Sequence, residues 1–305
     1  MSKLAFVFPG QGAQYVGMGK DFYETFSTCR EVYDLSSEVT GLDISALCFK
    51  ENTDINVTEY TQIAMLTTEA AILKVLEEKG IHSDVNAGLS LGEYGALIAS
   101  DVMSLEDAFH VVRQRGILMQ EAVPTGGAMC AVLGMDGNKI ADICEKVKGI
   151  VSVANYNCPG QIVITGEEKA VEEACEKLKE AGARRCIPLK VSGPFHSIML
   201  KEAGEKLGEV LDKVNIKEIR TPYITNVTAD YVTESGMVKS LLEKQIYSSV
   251  KWQQSVEKMI EDGVDTFIEI GPGKTLTGFL KKINRNVKGL NIEKIEDMEK
   301  VLKEI

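Results

Sequence analysis

The sequence has no basic excess. Against 45 Asp and Glu it sets 34 Lys and Arg, a formal net charge of −11 with a pI near 5.0. Gripping phosphates takes a positive surface, so a general nucleic-acid binder is not expected. No apolar run approaches the roughly 20 residues that span a bilayer. The run Leu4-Ala5-Phe6-Val7-Phe8 is too short for the apolar core of a secretory signal. A membrane role is therefore not expected, and a reducing cytoplasm is the expected compartment. The seven cysteines (29, 48, 130, 144, 158, 175 and 186) are odd in number and scattered, with no Cys-x-x-Cys pair. Neither a metal site nor a redox pair is expected from that spacing. Phosphate-loop templates fail as well. A G-x-G-x-x-G pattern read from Gly10 stops at Tyr15. A P-loop ending at Gly19-Lys20 fails at Gln14 and Asp21, and one ending at Gly273-Lys274-Thr275 fails at Ile268.

What is present is an ordinary globular composition, 44% hydrophobic and 26% charged, over 305 residues, enough to bury a large core. Leu4 to Phe8 is continuously apolar, as in a buried parallel strand. Residues 20–37 and 61–79 read as helices, and Ser104-Leu105-Glu106-Asp107 as a capped helix start. From Ala128 to about Val191 the periodicities alternate as strand, helix, strand, strand, helix, strand. That βαββαβ order is the order of a ferredoxin-like unit. The expected fold class is α/β: a large α/β-hydrolase-like domain with a parallel sheet core, residues 1–125 and 192–305, interrupted by a small inserted ferredoxin-like subdomain, residues 126–191.

Three positions carry chemistry. Gly88-Leu89-Ser90-Leu91-Gly92 has the Gly-x-Ser-x-Gly spacing of a nucleophile elbow, a sharp strand-to-helix turn with serine at its apex. Taken alone, it is equally a glycine-rich loop. Arg115 lies within the apolar stripe Ala108, Val111, Val112, Leu118 and Met119. A guanidinium on a core-facing stripe needs a partner, which is either a structural ion pair or a carboxylate ligand held by two parallel hydrogen bonds. Of only three histidines, His82 and His110 read as surface residues, and His196 stands in the turn Gly193-Pro194-Phe195-His196, where the chain re-enters the large domain. No aspartate between Ser90 and His196 (Asp101, Asp107, Asp136, Asp142) is well placed to complete a triad. A Ser–His pair whose imidazole is oriented by a neutral group is expected instead.

With these residues in place, the chain resembles the malonyl-CoA:acyl-carrier-protein transacylases over essentially its whole length. The resemblance rests on Phe8-Pro9-Gly10-Gln11-Gly12, Gly88-x-Ser90-Leu91-Gly92-Glu93-Tyr94, Arg115-Gly116 with Met119-Gln120-Glu121-Ala122, Gly193-Pro194-Phe195-His196, Gln245-x-Tyr247 and Gly271-Pro272-Gly273-Lys274, in that order. It implies Ser90 as nucleophile, His196 as base and then acid, and the main-chain carbonyl of Gln245 orienting His196. It implies an oxyanion hole from the N–H groups of Gln11 and Leu91, and Arg115 clamping the malonyl carboxylate. The implied reaction is ping-pong transfer from coenzyme A to Ser90 and on to the phosphopantetheine thiol of acyl carrier protein, for fatty acid synthesis, with no resident cofactor. Phe195 is expected to favour malonyl over its α-methylated analogue by crowding the extra methyl. The family commonly has histidine immediately before the nucleophile, whereas this chain has Leu89, so an effect on substrate affinity or selectivity is expected there. The alternatives are a serine hydrolase or thioesterase using the same Ser90–His196 pair, the acyltransferase of a polyketide pathway, and a non-catalytic acyl-binding module. For an acidic carrier protein, Arg184, Arg185 and Lys190, and Lys281, Lys282 and Arg285, are the candidate docking cations.

Overall fold

A computed structural model describes residues 2–305. In chain order, β1 (Leu4–Phe8) precedes α1 (Lys20–Thr25), α2 (Ser27–Thr40), α3 (Ile44–Phe49) and α4 (Thr58–Glu78). Then come β2 (Val85–Gly88), α5 (Gly92–Ala99) and α6 (Leu105–Glu121). A second unit follows: β3 (Gly127–Leu133), α7 (Gly137–Cys144), β4 (Val151–Cys158), β5 (Gln161–Glu167), α8 (Glu168–Glu180) and β6 (Arg185–Pro188). The chain closes with α9 (Lys201–Leu211), β7 (Tyr223–Ile224), α10 (Val238–Gln245), α11 (Trp252–Glu261), β8 (Thr266–Ile270), α12 (Thr275–Ile283), β9 (Lys288–Ile292) and α13 (Ile295–Val301).

The large sheet has the order β7-β2-β1-β8-β9, and every neighbouring pair in it is parallel. Such a sheet must be covered on both faces, and the alternation along β1 shows how. Phe6 and Phe8 join the core built by α2, α4, α5 and α6 on one side, with the Phe8 ring close against Gly95 of α5. Ala5 and Val7 pack with Trp252 and Val256 of α11 and Phe279 of α12 on the other. Because the strands are parallel, their carboxyl ends share one edge of the sheet. The segments after β1, β2, β7 and β8 all emerge there, which is where open α/β sheets bind ligands.

The second sheet is antiparallel, with the order β4-β5-β3-β6, and α7 and α8 pack on one face of it. It is joined to the rest of the molecule at β4, where Tyr156 N–H donates to the Val250 carbonyl (2.9 Å) and Val250 N–H to the Ala154 carbonyl (2.8 Å). No helix among the described residues is long and apolar enough to cross a membrane.

The helix expected over 20–37 is broken at Phe26, whose backbone is extended (φ −110°, ψ 128°). The helix expected over 61–79 starts earlier, at Thr58. It is buried on nearly every face, between α2, α6 and the sheet, so its apolar spacing gives a blurred edge. β9 was not anticipated, because Lys288, Gly289 and Asn291 make a half-exposed edge strand with no apolar run.

Candidate active site

The turn after β2 is dictated by crowding. A Cβ on Gly88 would lie 1.9 Å from the Gly92 carbonyl carbon, and one on Gly92 would lie 2.1 Å from the Phe8 carbonyl oxygen. Only glycine fits at either position, so the chain can reverse directly beneath Ser90. Ser90 itself is held at φ 54°, a left-handed conformation costly for a residue with a side chain. His196 is held at φ 60° in its own turn. Both residues owe these conformations to surrounding hydrogen bonds. Ser90 N–H donates to Asn226 Oδ1 (2.6 Å), and Asn226 Nδ2 donates to the Gly88 carbonyl (2.6 Å). His196 N–H donates to the Ile246 carbonyl (3.2 Å).

Ser90 Oγ lies 2.8 Å from His196 Nε2, and His196 Nδ1 lies 2.8 Å from the main-chain carbonyl oxygen of Gln245. A carbonyl can only accept, so Nδ1 carries the proton and Nε2 presents its lone pair to the hydroxyl. Burial, reinforced by the nearby Arg115 charge, pushes the His196 pKa down to about 4. The imidazole is therefore neutral at ordinary pH. His82 and His110 are exposed, as the sequence reading held.

Arg115 is fully buried on α6, and its guanidinium reaches Ser90. Nη1 donates to Gln62 Oε1 (2.7 Å), and Nη2 donates to Gln245 Oε1 (3.0 Å) and Ser90 Oγ (3.1 Å). Every one of these partners is neutral, and Nε has no partner among the described residues. The guanidinium also faces the Tyr94 ring, 5.7 Å from its centroid. Arg113, two residues earlier, takes the conventional route and pairs with Glu59 at 2.9 Å. A buried cation without a carboxylate partner is expensive, and this one lines a cavity of about 250 Å³. Ser90, His196, Gln11, Leu91, Leu89 and Phe195 line it too. The backbone N–H groups of Gln11 and Leu91 donate to no described residue, so both are free to face a ligand.

Ser90, His196, Gln245, Gln11, Leu91, Arg115, Phe195 and Leu89 thus fall at one place. Several partners were not selected. Gln62 sits inside the apolar run of α4 and Asn226 just past a two-residue strand, so neither has a local motif. The side chain of Gln245 was missed although its carbonyl was named: Nε2 donates to the Ser90 carbonyl (3.0 Å) and to Glu93 Oε2 (2.7 Å). Glu93, fully buried, also accepts from Asn226 N–H (3.0 Å), and burial raises its pKa.

Asn226→Ala removes the acceptor for Ser90 N–H. Steady-state kinetics should show kcat lowered about 10- to 100-fold with KM little changed, and an unchanged kcat would deprive Asn226 of a positioning role. The lowered pKa of His196 sets a pH dependence. In the free enzyme kcat/KM should stay level down through pH 6 and fall only as pH approaches about 4, when Nε2 gains its proton. A fall centred near the ordinary histidine value of about 6.5 would contradict the buried, neutral imidazole. The same shift acts on stability. Between about 4 and 6.5 the unfolded chain binds the proton and the folded one does not, so this group's contribution to stability diminishes as pH falls through that window.

A parallel α/β sheet, a serine turn at its carboxyl edge and an inserted antiparallel unit place the protein by class among acyltransferases, and the comparisons with known proteins agree. The family model described as "Acyl transferase domain" matches residues 5–300. The malonyl CoA-acyl carrier protein transacylase of Bacillus subtilis is 48% identical over 304 residues, 98% of this chain and 96% of that protein. The crystal structure of the transacylase of that name from Clostridium perfringens superposes with a TM-score of 0.96 at 49% identity, covering 99% of this chain and 97% of that one. A malonyl-transacylase solved in complex with its type II PKS acyl-carrier protein superposes with a TM-score of 0.96 at 38% identity, covering 100% of both chains. The chain belongs to the malonyl CoA-acyl carrier protein transacylase family.

Proposed function

We propose that this enzyme moves a malonyl group from coenzyme A to the phosphopantetheine thiol of acyl carrier protein through an ester on Ser90. The observation that carries the reading is Arg115: a fully buried guanidinium, hydrogen-bonded only to neutral groups, beside the serine hydroxyl. An acyl group that brings its own carboxylate supplies the missing charge. An acetyl group does not.

In the first half-reaction His196 Nε2 takes the Ser90 proton as Oγ attacks the thioester carbonyl. The N–H groups of Gln11 and Leu91 receive the developing oxyanion, where each donor is worth about 3 kcal/mol of barrier. The imidazolium formed is stabilised by the Gln245 carbonyl, and its proton goes to the departing coenzyme A sulfur. The second half-reaction runs the same steps in reverse order with the carrier thiol as nucleophile. Ser90, His196, Arg115 and backbone N–H groups supply every group this transfer uses, so no resident cofactor enters it.

The strand–Ser90–helix turn supports an α/β-hydrolase-like large domain over 1–125 and 192–305. The strand order β4-β5-β3-β6 of the βαββαβ unit supports a ferredoxin-like subdomain over 126–191. Leu189 and Val191, either side of Lys190, and Phe279 of α12, ahead of Lys281, Lys282 and Arg285, line the cavity. Lys190, Lys281, Lys282 and Arg285, exposed and close in sequence to these lining residues, support docking of an acidic carrier near the cavity, while Arg184 and Arg185 are exposed at the other end of β6. The net charge of −11 supports partners other than nucleic acid or an anionic membrane. All seven cysteines are free, which supports a reducing cytoplasm. Fatty acid synthesis is the proposed pathway. A polyketide carrier offers the same thiol, as the carrier complex among the similar structures illustrates.

Phe195 is buried against the cavity, beside His196. Phe195→Ser should raise the methylmalonyl-to-malonyl ratio of kcat/KM, and an unchanged ratio would remove the steric account. Leu89 lies against Gly10 at the rim of the oxyanion side, so its effect is expected on acyl selectivity.

Transfer is tested by incubating the protein with malonyl-CoA and following malonyl on protein and carrier by intact mass. A protein-bound malonyl that survives in buffer and moves to added holo-carrier supports the transacylase. Rapid release as free malonate without transfer would make the protein a hydrolase or thioesterase, and no adduct at all would leave a binding module.

A further inference from the structure

β3 serves two faces. Met129 lines the cavity, while Cys130 turns to the opposite side, into the core shared with α7 and α8. On the neighbouring antiparallel strand β6, Cys186 lies directly opposite Val132, and so on the same face as Cys130. α8 crosses that face and brings Cys175 down onto it. The three sulfur atoms all lie within 4.8 Å of one another, with Cys130 buried and the other two half-buried. Sequence spacing could not show this, because each thiol comes from a different element.

We propose that Cys130, Cys175 and Cys186 form a site for a thiophilic divalent cation of the zinc class, bound by three thiolates with solvent in the fourth position, which ties α8 to the β3–β6 edge of the small sheet.

Geometry supports it. Zinc–thiolate bonds of about 2.3 Å in a tetrahedral arrangement place the sulfurs about 3.8 Å apart. Sulfurs already within 4.8 Å of one another need only a small contraction, which rotation about the Cα–Cβ bonds can provide. The competing interactions are weak: Cys186 Sγ reaches the Cys175 carbonyl at 3.7 Å and Cys130 Sγ the Ala131 carbonyl at 3.7 Å. Half-burial of Cys175 and Cys186 leaves a path for the ion and room for the fourth ligand. Three thiolates and a divalent cation carry a net −1, and the metal's own charge drives the thiols to thiolate on binding. Binding exchanges three S–H protons for three metal–sulfur bonds and releases the protons to buffer, so affinity rises with pH. No electron is transferred and no oxidant is needed.

The site lies across the small sheet from Ser90, so it is read out without the acyl chemistry. The full chain, fully reduced and stripped of metal, is titrated with Co²⁺ as a spectroscopic probe. One equivalent should produce sulfur-to-cobalt charge-transfer absorption and the visible bands of a tetrahedral site, and Zn²⁺ should abolish both. Zn²⁺ should also raise the melting temperature and shield three of the seven thiols from alkylation. Cys175→Ala and Cys186→Ser should each weaken cobalt binding by roughly 100-fold or more while retaining malonyl transfer. The alkylation pattern of the unsubstituted chain keeps the test intact if a variant folds poorly. Absence of the charge-transfer band in the reduced chain would overturn the site. So would a band that persists in the Cys175→Ala/Cys186→Ser double variant. Formation of a disulfide within the cluster on mild peroxide treatment, with no cobalt band, would make it a redox pair instead.

Discussion

Ser90→Ala should abolish formation of the acyl-enzyme and lower malonyl transfer by about 10⁴-fold or more. The hydroxyl lies 2.8 Å from His196 Nε2, and no other nucleophilic side chain lies within hydrogen-bond distance of that nitrogen among the described residues. The loss should appear in kcat and in kcat/KM alike, since the serine forms its bond only on the way through the transition state. Coenzyme A thioester binding, measured by calorimetry, should change little, because Arg115 and the cavity walls remain. Transfer within tenfold of the unsubstituted enzyme would mean direct attack by the carrier thiol without an ester on Ser90.

Arg115→Ala separates substrates. Truncating one side of a buried charge pair costs about 3 kcal/mol or more, so kcat/KM for malonyl-CoA should fall roughly 100-fold or more. Acetyl-CoA has no carboxylate to lose. It gives up the support that the guanidinium lends to Gln62 Oε1, Ser90 Oγ and Gln245 Oε1, a loss expected to stay within about tenfold. The malonyl preference should therefore collapse. Arg115→Lys keeps the charge but not the planar fork and should fall between the two. Equal losses for malonyl and acetyl in Arg115→Ala would assign the arginine to holding the site together rather than to the substrate.

The sequence carried more of the site than of the fold's periphery, and the reasons are physical. Gly88 and Gly92 were legible because a tight turn under a side-chain-bearing residue admits nothing larger. Arg115 was legible because a charge on an apolar stripe contradicts its surroundings, and β1 because a strand buried on both faces is continuously apolar. Residues that act through tertiary contact alone were not legible. Gln62 is a polar residue on a helix buried all round, and Asn226 clamps the serine turn from 136 positions away. The role of Gln245 needed the three-dimensional arrangement too, for its carbonyl, its amide oxygen and its amide nitrogen serve three different partners. The three clustered thiols are the same case, spread over β3, α8 and β6. At the chain's end, β9 is an edge strand that needs only one good face, so it shows no apolar run.

The central claim is that Ser90 carries a malonyl group whose carboxylate rests on Arg115. The most direct test is to mix the enzyme with malonyl-CoA, quench in acid, and locate the adduct by peptide mass spectrometry, in parallel with acetyl-CoA at the same concentration. The account predicts one malonyl group, on the peptide containing Ser90, at far higher occupancy than acetyl, and its disappearance on addition of holo-carrier protein. A malonyl group on another residue, or equal loading of Ser90 by malonyl and acetyl, would contradict it.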